Sequence, residues 1–374
     1  MAGAARLLVL FVLMPLAVTG AHASPITEHW LQTQVDEVRA AHDVVALGAG
    51  IAVSDGAPIV AVSGTVSKSE DTLVAEDDAW HIGSNTKALT ALLYARLVED
   101  ERASWDAGLV DLFGPDLGDI DPAWTSITVR DLFAHRSGVG QIGPMWLLAR
   151  HNDDAALPEQ RFETARSRLA EPPRAKPGAF EYSNLNYIIA GAAIEIITGM
   201  SWEDAFREIL LVDGDANLAD GWGFGPPQTG PVGHKRNLLG MKTPAGRGAS
   251  ADNPGALGPA GTAHAPLASH VLLLQQFLYE DGELMTDATR QTLLSPWPDE
   301  TADYALGWGV GERDSLGRIF AHQGSNTMWL SHAELVPSKD AVFVVNANEF
   351  SDASRKAVGE LVGRIETRLA EESD

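Results

Sequence analysis

The chain opens on an apolar run, Leu7 to Val18, and then settles into patterns in which hydrophobic and polar positions alternate. From Pro25 to His42, the residues Trp30, Leu31, Val35 and Val38 recur at helical spacing with charged residues between them, predicting an amphipathic helix. Val44 to Val53 and Pro58 to Val66 are rich in valine and alanine; Ser54-Asp55-Gly56 between them has turn chemistry, so together they predict a hairpin. Ser84 to Val98 differs in being apolar nearly all round, the mark of a helix buried on every side. Between residues 100 and 300, short helical patterns alternate with loops rich in Gly, Pro and Asp. The clearest helices there are Val129 to Ala134, Asn184 to Thr198 and Ala268 to Tyr279. Gly223 to Gly261 is dense in Gly, Pro and Asn, and so long a loop inside a compact domain is expected at the mouth of a site. Tyr304 to Val310, Arg318 to Gln323, Met328 to Val336 and Ala341 to Asn346 predict strands, and Ser351 to Glu371 a closing helix.

Strands at both ends with helices between them predict an α/β (α+β) fold. One antiparallel sheet would draw on both chain ends, residues 24–80 and 300–374, flanked by helices, with a mainly helical region, 81–299, inserted between its halves. Two domains in tandem are the other arrangement. Ahead of them, Arg6, the apolar run interrupted by Pro15, and the small-x-small sequence Ala21-His22-Ala23 read as a secretory signal over residues 1–23. Cleavage near Ala23 would leave a protein beginning at Ser24 in the periplasm or outside the cell. A membrane anchor would need about 18 or more apolar residues in succession; no other stretch of this sequence is long enough to span a bilayer.

Composition removes several function classes. Cysteine is absent, which rules out disulfides, a thiol nucleophile and cysteine metal sites. A formal net charge of −24 disfavours nucleic acid, whose phosphates require clustered Lys and Arg, and reads as a solvated surface. The eleven histidines form neither a His-x-His pair nor a His-Glu-x-x-His helix, so a zinc hydrolase is disfavoured. Gly307-Trp308-Gly309-Val310-Gly311 has the spacing of neither a nucleotide-binding turn nor a P-loop. No metal or cofactor is therefore expected, and the expected partner is a small-molecule substrate.

Three short patterns carry candidate chemistry. Ser84-Asn85-Thr86-Lys87 is the chain's only Ser-x-x-Lys, at the start of the buried helix. Residues three apart share a helix face, and burial lowers a lysine's pKa, so Lys87 could take the proton of Ser84 and make it a nucleophile. Otherwise Ser84 is a helix cap and Lys87 a surface charge. Tyr182-Ser183-Asn184 is the only Tyr-x-Asn. A tyrosine beside a cationic lysine is held closer to ionisation and can relay a proton, and Asn184 offers a donor and an acceptor to a substrate amide. The plainer alternative has Ser183 or Asn184 capping the next helix while Tyr182 packs its ring. In the strand His322-Gln323-Gly324-Ser325, alternation puts His322 and Gly324 on one face. The N–H of Ser325 could join that of Ser84 in an oxyanion hole; alternatively, His322 is a strand histidine with an ordinary hydrogen bond.

In this order the three patterns resemble the serine β-lactamase and penicillin-binding-protein superfamily, and within it the class C-like serine hydrolases. Leu132-Phe133-Ala134-His135-Arg136-Ser137-Gly138, Leu306-Gly307-Trp308-Gly309 and Gly324-Ser325-Asn326-Thr327 are similar to further segments of that group, so the resemblance covers nearly all of the chain after the leader. It implies that Ser84 forms an acyl-enzyme, that Lys87 and Tyr182 share proton transfer, that Asn184 orients the substrate, and that the strand bearing His322 and Gly324 aligns it. One departure matters. Many members carry Lys-Thr-Gly where this chain has His322-Gln323-Gly324. Histidine is largely neutral at pH 7, so recognition of a substrate carboxylate is in doubt. The expected substrate is an ester or a small amide of the D-amino-acid peptide kind, with β-lactam turnover weak or absent. The rival expectation is a non-catalytic, penicillin-binding-like envelope scaffold.

Overall fold

The computed structural model describes residues 26–114, 117–211, 221–237, 240–280, 282 and 284–371. The expected signal segment, residues 1–23, lies outside them. Its N-terminal helix runs Glu28–His42, with the Thr27 side chain accepting from Trp30 N–H, and leads into β1 (Ala46–Val53) and β2 (Ile59–Gly64). Further strands follow at β3 (Ala79–His81), β4 (Gly223–Phe224), β5 (His234–Arg236), β6 (Lys242–Pro244) and β7 (Ala263–Pro266). The C-terminal strands are β8 (Gly309–Arg313), β9 (Gly317–Gly324), β10 (Leu330–Val336) and β11 (Ala341–Ala347). Six of these form the main antiparallel sheet in the order β2-β1-β11-β10-β9-β8. Leu47 stands opposite Ala347, so the first strand and the last are neighbours.

Alternation along the strands feeds two cores. Leu47, Ala49, Ile51, Phe343 and Val345 meet Leu31, Val35, Val38, Leu361 and Ile365 from the N-terminal helix and the closing helix Asp352–Ala370. Ala333, Val342 and Val344 face the other way, onto Leu267 and Val271 and the helices of the chain's middle. Both faces are thus covered, which is why the first five residues of Ala341–Ala347 read as a continuous apolar run. Through the second core passes the helix Thr86–Glu99, in which eleven of fourteen residues are buried. Its neighbour Asn184–Thr198 starts at Ser183, whose hydroxyl accepts from Leu185 N–H.

The region between the sheet's two halves contains strands as well as helices: β3-β7-β4 form a small sheet and β5-β6 a hairpin, so Gly223 to Gly261 is more ordered than its composition predicts. Arg161, fully buried, anchors that region. It pairs with Glu195 at 2.5 Å and with Glu203, and donates to the carbonyls of Ala256 and Gly255. The strand expected over Tyr304 to Val310 is displaced: β8 starts only at Gly309. Gly307 at φ +91° breaks the extended backbone, and a Cβ there would sit 2.7 Å from Ala88 Cα, so the chain bends to pass against the Thr86–Glu99 helix. The helix expected over Ala268 to Tyr279 is Leu267–Gln275, shorter at its C-terminal end.

Candidate active site

Ser84 sits in a single 3-10 turn, Gly83–Asn85, that opens the Thr86–Glu99 helix. Lys87, on the first turn of that helix, is completely buried. Its Nζ has three oxygen neighbours: Ser84 Oγ at 2.9 Å, Asn184 Oδ1 at 2.8 Å and the Ala260 carbonyl at 2.6 Å. Burial drives its pKa well below the ordinary 10.5, favouring the neutral amine. A neutral amine has two protons and one lone pair. The Ala260 carbonyl and the Asn184 oxygen can only accept, so the two protons go to them and the lone pair is left for the Ser84 hydroxyl proton.

The Tyr182 ring lies 4.9 Å from Lys87 Nζ, and its phenol is within hydrogen-bonding reach of Ser84. Although 37% of the residue's surface remains exposed, burial of the hydroxyl end raises the phenol to about 12, outweighing the hydrogen bond to Ser84. This reverses the expectation of a tyrosine held nearer ionisation, because burial of the phenol disfavours the charged phenolate. Behind the ring stand His135, 4.3 Å away between centroids, then Tyr187 and Tyr304. His135 is fully buried and accepts at Nδ1 from Ser183 N–H and Asn186, and burial pushes its pKa well below 6.5.

His322 and Gly324 do share a face of β9. Gly324 meets the turn that carries Ser84 directly: a Cβ on Gly324 would lie 2.7 Å from Ser84 N, and one on Gly83 2.7 Å from Gly324 C. The N–H groups of Ser84 and Ser325 therefore come from two backbones in contact. His322 lies deeper than a surface contact, 7% exposed, with Nε2 3.2 Å from Tyr304 Oη and its ring 6.0 Å from that of Tyr182. Burial lowers it to about 3, so it is neutral. Sequence reasoning missed the Ala260 carbonyl, the roles of Tyr187 and Tyr304 as a wall, and a cluster of His81, Asp252 and Asn326 beneath Gly83. A cleft of about 590 Å³ is lined by Leu157, Arg207, Phe224, Asp252 and Thr262 among others; Ser84, Lys87, Tyr182 and Asn184 do not line it.

A family model described as Beta-lactamase matches residues 35–364. Penicillin-binding protein 4 of Amycolatopsis lactamdurans is 26% identical over 372 residues, covering 90% of this chain and 90% of its own. An unguisins hydrolase of Aspergillus campestris is 30% identical over 171 residues, 43% of this chain and 30% of its own. Among solved structures, the D-amino acid amidase of Ochrobactrum anthropi SV3 superposes with a TM-score of 0.73 at 18% identity, covering 92% of this chain and 99% of that one. The octameric penicillin-binding protein homologue of Pyrococcus abyssi gives 0.72 at 21% identity, over 91% and 78%. At these identities the structural likeness speaks for the fold.

Proposed function

Because this chain belongs to the Beta-lactamase family of serine hydrolases, we propose that it cleaves esters and small amides through an acyl-enzyme formed on Ser84. The observation that carries this reading is the setting of Lys87, whose lone pair has one hydroxyl to face, 2.9 Å away. Ser84 Oγ attacks the substrate carbonyl as its proton passes to Lys87 Nζ. The new ammonium then has three acceptors around it, so the charge is partnered as it forms. Tyr182, protonated at neutral pH, gives its proton to the departing amine or alkoxide and recovers one from Lys87. Ser84 N–H and Ser325 N–H hold the oxyanion, and water completes hydrolysis by releasing the acid and regenerating the Ser84 hydroxyl.

Substrate class follows from charge. With His322 neutral and Lys87 favouring its neutral form, these two residues offer little fixed positive charge to a substrate carboxylate. This favours neutral esters and amino-acid amides over β-lactams. The amidase of Ochrobactrum anthropi SV3, solved with L-phenylalanine amide, is a neighbour of that kind. The N-terminal pattern around Arg6, Leu7 to Val18 and Ala21-His22-Ala23 supports export and cleavage before Ser24, which N-terminal sequencing of the cell-envelope or secreted fraction would check.

The test is a panel of p-nitrophenyl esters, D-amino-acid amides, D-alanyl peptides and nitrocefin against wild type and Ser84→Ala. Every activity is expected to vanish in the variant, with esters and amides turned over faster than nitrocefin. Rapid nitrocefin turnover, or hydrolysis surviving the loss of Ser84, would overturn the reading.

A further inference from the structure

We propose that Asp252 is a positioning residue that locks the two halves of the oxyanion hole, one on each side of a single buried carboxylate. The inference rests on the serine-hydrolase reading above. Asp252 is 4% exposed and lies on the wall of the cleft of about 590 Å³. Its Oδ2 is 2.8 Å from His81 Nε2, and its Oδ1 accepts from Asn326 Nδ2 at 2.8 Å and from Asn253 N–H at 2.7 Å.

One arm leads to the nucleophile. Gly83 N–H donates to His81 Nδ1 at 3.1 Å, which fixes the imidazole proton on Nε2, where it points at Asp252. Gly83 takes φ +53°, and it is the residue that sets the direction of the Ser84 N–H. The other arm leads to the strand end. Asn326 Oδ1 accepts from Met328 N–H at 3.1 Å, and Ser325 Oγ from Thr327 N–H at 2.9 Å. Between them Thr327 is held at φ +71°, a left-handed conformation that a β-branched residue adopts only under constraint. Both oxyanion donors therefore sit on backbone that would relax without its support, and both supports end on one carboxylate.

Three donors converge on Asp252, so only a group that accepts at both oxygens and donates nothing satisfies them. Asparagine has the same shape but must present N–H to one of the donors. Asp252→Asn therefore frees one arm without creating a cavity, and Asn326→Ala frees the second arm alone. The measurements are kcat and KM on a p-nitrophenyl ester, counted per site titrated with a fluorophosphonate, and amide hydrogen exchange over residues 82–86 and 324–328.

Asp252→Asn is expected to lower kcat per titrated site by about 10- to 100-fold, with KM changed less than about threefold, and to speed exchange in at least one of the two segments. A merely structural role would lower the titratable fraction and leave kcat per titrated site unchanged; that result overturns the proposal. If Asp252→Asn does not fold, Asn326→Ala makes the same comparison, with faster exchange at 324–328 required. If wild type forms no adduct and turns over no ester, the hydrolase reading fails. Exchange then decides the network by itself, and unaltered exchange in both segments overturns it.

Discussion

Lys87 Nζ stands 2.6 Å from the carbonyl oxygen of Ala260, an atom with no proton to give. That contact commits one N–H of a buried amine and helps to aim its lone pair at Ser84. Lys87 must be neutral to act as a base, and burial holds its pKa well below 10.5. On a neutral ester kcat/KM should therefore rise with pH through that lowered value and level off above it. A pH–rate profile checks this, and Lys87→Met should cost about 10²- to 10⁴-fold in kcat/KM.

In the proposed mechanism Tyr182 donates a proton, and its phenol is raised to about 12. Activity should stay level through pH 8 to 10, where an ordinary tyrosine begins to ionise. Tyr182→Phe should cost about 10²-fold or more on amides and less on p-nitrophenyl esters, because nitrophenolate leaves without a proton. Equal losses on both would contradict the role.

Gly324→Ala places a methyl 2.7 Å from Ser84 N and closer still to the Ile82 carbonyl. The two backbones have to separate. Fluorophosphonate labelling should slow by about 10²-fold or more while the circular dichroism spectrum keeps its helical content.

His270 is fully buried, with no hydrogen-bond partner for either ring nitrogen among the described residues, and burial lowers it from 6.5 to about 3. Above pH 6.5 it is neutral folded or unfolded and adds no pH slope. Below that, the unfolded chain binds a proton that the folded chain refuses, so stability falls by about 1.4 kcal/mol per pH unit toward pH 3. His270→Leu should remove this contribution, and the gap between variant and wild type in guanidinium denaturation should widen from pH 7 to pH 4.5.

Arg161 serves two buried carboxylates and two carbonyls, and burial raises the pKa of Glu195. Arg161→Met strands those acids in the interior and should cost about 3–5 kcal/mol of unfolding free energy. Adding Glu195→Gln and Glu203→Gln should recover much of it.

Local patterns made the helix Thr86–Glu99, the Ser183-capped helix and three of the C-terminal strands legible, because spacing and caps are properties of neighbouring residues. The meeting of Ser84, Lys87, Tyr182 and Asn184 was expected from motif order. What stayed hidden depended on contacts between distant segments. Ala260 acts through a backbone carbonyl, which no residue type announces. Tyr304 to Val310 reads as a strand until Gly307 has to pass the nucleophile helix. The direction of the Tyr182 shift turned on the burial of its own hydroxyl, which the spacing of a motif does not show.

The pairing of Leu47 with Ala347 gives the order of manufacture a consequence. A strand made early must wait for one translated about 300 residues later before its edge is filled, and that long-range closure makes folding slow. The glycine strand that faces Ser84 likewise follows it by about 240 residues. A nascent chain that has not yet reached Gly324 thus holds a serine and a lysine but no enclosure for them.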